Sequence, residues 1–429
     1  MSPILGQIIR LTRTIHLHSV DGSIRPSAQF LAGKRPHFGL TGGFGLSWWY
    51  TSDTFLAFDA VTNLIIRNAS EFRDCDPETI SETIKETLHE VCVDKSIFDV
   101  DAVVFAQQKT LFECRSVNAE WFSTILLRTI EDNLRTRIGR RCTIYVVPRL
   151  QVASFNLCEV SVRLIEKNDG AAWSALIKSG YQFDGWTPQN PTIGLKVDST
   201  FSPQGKFESL LVGEEYGTQK GAQASSVLKF RMLIAVLAAI ASEQSGFTFH
   251  KAMARPFEFC VQFPHESCSD KRIFRSDCRP IIPFFVSDIH LGTDEIEALR
   301  TWYAKYMRCS QITKDRLEKS AHFINRGMNT DDIESYINYF VALDALFGER
   351  HSVETSILAG IVSLGLDAIY VEKARWLFDF RSELVHGGSR QFVEWPKYGR
   401  YVRHFRTRPL RDVQVLSQMV LTRAPEVLR

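Results

Sequence analysis

From residue 293 onward the sequence is a succession of amphipathic segments with short breaks between them. They run "TDEIEALRTWYAKYM" at 293–307, "NTDDIESYINYFVALDALFG" at 329–348, "SVETSILAGIVSLG" at 352–365, "DAIYVEKARWLFDFRSELVHGG" at 367–388 and "PLRDVQVLSQMVLTRAPEVL" from 409. A helix that carries its apolar residues on one stripe must bury that stripe against another element. Short breaks make successive helices antiparallel, so this part of the chain is expected to form an all-α bundle. The punctuation agrees. Asp294 and Glu297 have the spacing of a capping box, the second segment is capped near Asn329 or Thr330, Ser352 begins the third, and Gly348, Gly387 and Gly388 stand where helices stop.

Upstream the signals are mixed. The first sixty residues are rich in glycine and aromatics and read as short strands and turns. Asp76 followed by Pro77 opens a helix over 76–91, and a second covers 120–139. "CTIYVVPRL", "CEVSVRLIEK", "FEFCVQF" and "IIPFFV" read as strands, and the polar stretch 199–225 as a loop. "MLIAVLAAIA" at 232–241 is too short to span a bilayer and reads as a buried helix. The expected architecture is an α+β region over 1–290, in one or two domains, followed by an all-α domain over 291–429.

Composition excludes several classes. Apolar residues make up 45% and charged residues 23% of the 429, as in ordinary globular protein. The net charge of +2 conceals an uneven distribution. Residues 71–101 hold ten acids and three bases, whereas residues 390–411 hold seven Lys or Arg and one acid, Glu394. Nine cysteines without a CxxC pair suit a reducing compartment, and charges and histidines interrupt the first eighteen residues where a secretory signal would be apolar. A cytoplasmic location with no membrane partner is expected.

Two charged residues sit where apolar ones belong. Ile333, Ile337, Phe340 and Asp344 follow one another at spacings of four, three and four, and so do Tyr370, Ala374, Leu377 and Arg381. A charge on a buried stripe is costly unless paired, so Asp344 and Arg381 are expected to meet across the bundle. As an ion pair they would fix the register of the two helices. His386, five residues past Arg381, is rotated roughly 140° from it at about 100° per residue and lies at the helix end. A titratable group near a fixed cation suits phosphoryl chemistry: a histidine can move a hydroxyl proton and an arginine can stabilise the charged phosphorane. The plainer alternative for the histidine is hydrogen bonding at the helix end.

"RSELVHG" preceded by "ALDALFG" about forty residues earlier resembles the HEPN superfamily, in particular the Apea-like HEPN domain, over roughly the last third of the chain. The resemblance implies a helical bundle that dimerises and brings two Arg-x4-His motifs into one cleft. It implies a metal-independent endoribonuclease without cofactor, leaving a 2′,3′-cyclic phosphate, in a toxin or anti-phage abortive-infection role. Arg381 and His386 would be catalytic and Asp344 an orienting acid. The upstream region would then sense a phage or cellular trigger. The competing reading is a non-catalytic HEPN module for dimerisation or for binding RNA or protein.

The basic tail points to RNA as well. "WPKYGRYVRHFRTRPLR" interleaves rings with cations, and Lys397, Arg400, Arg403, Arg406, Tyr398 and Tyr401 are the candidate contacts, cations for phosphates and rings for bases. A solvated loop with packing aromatics is the alternative. Two other motifs carry little weight. Asp288-Ile289-His290 after a strand resembles the first metal motif of calcineurin-like phosphoesterases, but the later motifs of that fold do not follow. His265, Cys268 and Cys278 have irregular spacing and no fourth ligand for zinc.

Overall fold

The computed structural model describes residues 2–428 apart from 26–28, 31–44, 93, 106–108, 149, 184–206, 246–257, 284–288 and 387–390. Residues 1–140, with 216–222 and 267–270, make one compact unit, and the remaining residues make another. The units part near residue 140 rather than 290.

The first unit is helical: α1 (Pro3–Thr14), α2 (Ser52–Asn68), α3 (Pro77–Val91), the short α4 (Val100–Phe105) and α5 (Ala119–Arg135). The first sixty residues therefore begin with a helix where strands were expected. Ile4, Ile8 and Leu11 recur at helical spacing and are buried, a signal masked by the glycines and aromatics that follow. Strands are confined to two-residue pairs, β1 (Ile15–His16) with β4 (Trp49–Tyr50) and β2 (Gln29–Phe30) with β3 (Gly45–Leu46). Helix α3 begins as its sequence dictates: Asp76 accepts a hydrogen bond from the Thr79 amide at 2.8 Å, and Pro77 fills the first turn. The Thr218 hydroxyl reaches the other Asp76 oxygen at 2.7 Å. Gly221 is required nearby, since a Cβ there would lie 2.0 Å from the Asp74 carbonyl oxygen. Glu78, Glu82, Glu86 and Glu90 recur every four residues on the exposed face of α3 and make up much of the acidic run.

The second unit combines a sheet with the helical bundle. Its strands are β5 (Gly139–Pro148), β6 (Leu150–Val152), β7 (Phe155–Leu157), β8 (Val162–Glu166), β9 (Phe207–Gly217), β10 (Glu258–Pro264), β11 (Phe274–Cys278) and β12 (Ile289–Leu291). Six form one sheet in the order β11-β10-β5-β9-β8-β7, while β6 pairs with β12 in parallel. Strand β9 occupies part of the stretch expected to be a loop. Its apolar run is only "LLV", too short beside the flanking polar residues to stand out. "IIPFFV" supplies no strand at 281–283, and the rest of that segment lies outside the described residues.

The period-two alternation of strands sends side chains to both faces. Cys142, Ile144, Leu210, Val212, Val261 and Phe263 pack beneath α6 (Gly170–Ile177). Tyr145, Val147, Leu164, Leu211 and Cys260 join the larger core with α7 (Gln219–Ser245). Every residue from Met232 to Ala241 is buried in that core. Helix α7 is nevertheless far longer than its apolar run, and it is long and apolar enough by composition to cross a membrane.

The bundle consists of α8 (Thr293–Met307), α9 (Gln311–Met328), α10 (Asp332–Phe347), α11 (Val353–Ser363), α12 (Ala368–Val385), α13 (Tyr398–Phe405) and α14 (Pro409–Val427). Two of these, α9 and α13, were not expected. The cap of α8 differs too: the Gly292 amide donates to Glu295 at 2.9 Å, one pair of residues before the expected Asp294 and Glu297. The second segment is capped at Asp331, just past the expected Asn329 or Thr330, and α10 stops at Gly348 as expected.

A buried carboxylate ties the last helices together. Asp412 in α14 is 5% exposed. It accepts from Lys373 Nζ of α12 at 2.6 Å, from the Tyr401 hydroxyl of α13 at 2.8 Å and from the Thr407 hydroxyl. Asp412→Ala strands the Lys373 ammonium and is expected to cost about 3–5 kcal/mol in denaturant melts, with Lys373→Met restoring much of the loss. A near-neutral Asp412→Ala would show that the cluster is not a closed one.

In the first unit the imidazole of His89 stacks on the buried Trp48 ring, centroids 3.9 Å apart. Burial depresses its pKa to about 4. Unfolded, this histidine would titrate near 6.5, so the unfolded chain binds more protons between those values. Its contribution to stability is therefore complete above pH 6.5 and is lost as the pH falls toward 4. Urea midpoints measured at pH 7 and pH 5 should converge in His89→Phe relative to the parent chain. An unchanged difference would place the imidazole in water.

Candidate functional site

Helix α12 supplies the centre of the site. Leu377 and Phe380 face the core, and the Tyr336 hydroxyl of α10 donates to the Leu377 carbonyl at 2.6 Å. The Tyr336 ring lies 4.9 Å from that of Phe380, and Phe340 lies 5.7 Å from Phe378. These contacts set the register between the two helices. They put Arg381 at the Tyr336 level of α10. Burial pushes the Tyr336 hydroxyl pKa well above its ordinary value, Asp379 adds to the rise and Arg381 opposes it.

The same register keeps Asp344 from Arg381. Asp344 lies eight residues beyond Tyr336, about 12 Å further along at 1.5 Å per residue. No ion pair joins the two, and neither side chain has a hydrogen-bond partner among the described residues. Instead Asp344 Oδ1 occupies space that only a glycine leaves open: a Cβ on Gly348 would be 1.8 Å away. Both charged residues are half-buried rather than sealed in the core, which is why an unpaired state is tolerated. The expected buried pair is corrected accordingly. Asp344→Ala should change stability by less than about 1 kcal/mol in denaturant melts. A loss of 3–5 kcal/mol would reinstate the pair.

His386 is exposed and caps the last turn of α12, its amide donating to the Ser382 carbonyl at 3.0 Å. Gly387 and Gly388, expected to reverse the chain, lie outside the described residues. The histidine shares a face with other polar residues. Arg375, Asp379, Ser382 and His386 are spaced by four, three and four, a narrow arc of an ideal helix. Arg375, Asp379 and Ser382 line a cavity of about 490 Å³, together with Trp376 and Phe378 of the same helix. Glu354 of α11 and the basic residues Lys397 and Arg400 complete its wall. Within it, Asp379 accepts from Lys397 Nζ at 2.8 Å and from the Trp395 indole at 3.2 Å. Arg375, Arg400 and Glu354 make no ion pair among the described residues.

The basic tail divides in two. Helix α13 turns its rings inward and its cations outward, as a 3.6-residue period requires. Tyr401 is wholly buried and engaged with Asp412, Trp395 is 2% exposed, and Tyr398 is half-buried against the core. Tyr401 is thus a packing residue and cannot stack on a base. Lys397, Arg400, Arg403 and Arg406 are exposed, and of these Lys397 and Arg400 face the cavity. Of the residues expected to contact RNA, the four cations are exposed, whereas the Tyr401 ring is buried. The sequence reading did not single out Arg375, Trp376 and Phe378, which line the cavity on the same helix as Arg381.

The other motifs assemble no site. Asp288 and the Cys278 side chain are outside the described residues, and Cys268 Sγ donates to the Arg140 carbonyl at 3.0 Å. No group of three or more His, Cys, Asp or Glu among the described residues is arranged to hold a metal ion. The eight described cysteines are free thiols, and all but Cys158 are buried. No family model, curated protein or solved structure matches the chain. The likeness to HEPN domains thus rests on the quoted residues of α10 and α12.

Proposed function

We propose that this chain is a HEPN-type, metal-independent endoribonuclease acting through Arg381 and His386. The observation that carries the reading is the Arg381 guanidinium, half-buried beside the Tyr336 end of α10 with no carboxylate partner among the described residues. A half-buried cation without an acid to neutralise it suits a dianionic phosphorane. His386, exposed on the same helix end, is free to move protons. In-line attack joins the 2′-oxygen to phosphorus and breaks the bond to the 5′-oxygen, leaving a 2′,3′-cyclic phosphate. One base must take the 2′-proton and one acid must protonate the leaving oxygen. A homodimer or higher oligomer would supply a histidine for each task. The first unit would sense a phage or cellular trigger, and the free thiols suit a reducing cytoplasm.

The separation of Asp344 from Arg381 favours a second reading, a module that dimerises or binds RNA or protein without cutting. Cleavage assays separate the two. RNA incubated with the full-length protein in EDTA should yield cyclic-phosphate ends, and Arg381→Ala and His386→Ala should each slow the reaction by about 10² or more. Full activity in His386→Ala, or loss of activity in EDTA, would overturn the mechanism.

A further inference from the structure

The cavity on α12 neighbours the Arg381 and His386 motif and combines cations, rings and a carboxylate in one wall. We infer that it is a subsite for one nucleotide of a single-stranded RNA, next to the phosphate that His386 serves; this rests on the ribonuclease reading. Four observations carry it. The volume of about 490 Å³ falls within the roughly 300–1,000 Å³ of sites for small ligands. Two half-buried rings, Trp376 and Phe378, lie in its wall; Trp376 is braced by the near-parallel His404 ring, centroids 6.3 Å apart, and the part of each ring that lines the cavity is a surface of the kind on which bases stack. Arg375 and Arg400 both line the cavity, are exposed and make no ion pair among the described residues, as phosphate contacts require. Ser382 joins the cavity to the motif: it is followed one helical turn later by His386 on the same face, so a strand seated here runs toward the histidine.

The charges inside the cavity are divided by role. Asp379 is occupied by Lys397 and the Trp395 indole, so it steadies the wall rather than repelling a phosphate. Glu354 on α11 carries no partner among the described residues. A carboxylate accepts but cannot donate, so it suits the amino edge of a base and not the backbone.

Equilibrium binding of a 2′-O-methyl RNA oligonucleotide, which cannot be cleaved, tests the inference by fluorescence anisotropy. Arg375→Gln with Arg400→Gln should raise Kd about tenfold or more. It should also flatten the dependence of log K on log salt by about 1.4, the contribution of two phosphate contacts on a single strand. Arg10→Gln with Arg128→Gln removes the same charge from exposed sites on α1 and α5 and should leave Kd within twofold. Unchanged affinity in the cavity variant, or an equal loss in the α1/α5 variant, would overturn the subsite. Cavity-dependent binding by a chain that cleaves no RNA would uphold the subsite and defeat the nuclease reading. Cleavage that is indifferent to Arg375 and Arg400 would do the reverse.

Discussion

A carboxylate removed from water must be surrounded by donors, and the closure of α12, α13 and α14 depends on how Asp412 meets that demand. Lys373, Tyr401 and Thr407 reach it from three directions. The lysine fixes the middle of α12, and the tyrosine fixes α13. With α13 held, Lys397 and Arg400 stand at its N-terminal end and, with Arg375, line the cavity. The cavity wall thus adjoins the buried cluster: Lys373 lies two residues before Arg375, and Tyr401 directly follows Arg400.

Helix α12 has two faces with different duties. Leu377 and Phe380 bury one face, and Tyr336 locks it through a backbone carbonyl, a contact insensitive to which side chain occupies position 377. The other face carries Arg375, Asp379, Ser382 and His386, all polar. Arg381 lies between these faces and is half-buried.

Much of the bundle was legible because its helices announce themselves by stripe and cap. Five of its seven helices follow from that pattern. Helix α9 escaped although Leu317, Ala321, Ile324 and Met328 recur at four, three and four, because its many charged residues dilute the stripe. Helix α13 escaped because its rings and cations alternate closely enough to look like a binding strip, and only the helical period sorts them. The Asp344 pairing was misread for a different reason. A stripe fixes which face a residue occupies but not its height, and height is set by the Tyr336, Phe378 and Phe380 contacts, which no spacing rule encodes. The change from strand to helix near residue 290 does not divide the packing, because the sheet and the bundle share one core.

The walls of the cavity all come from between residues 354 and 400. Few residues separate its parts, so the entropy lost in closing the intervening loops is small. Such a site needs only local chain encounters to form, whereas the six-stranded sheet of the same unit must bring residues from 139 to 278 together. The contacts that shape the cavity are therefore closer in sequence than those that pair the strands of the sheet.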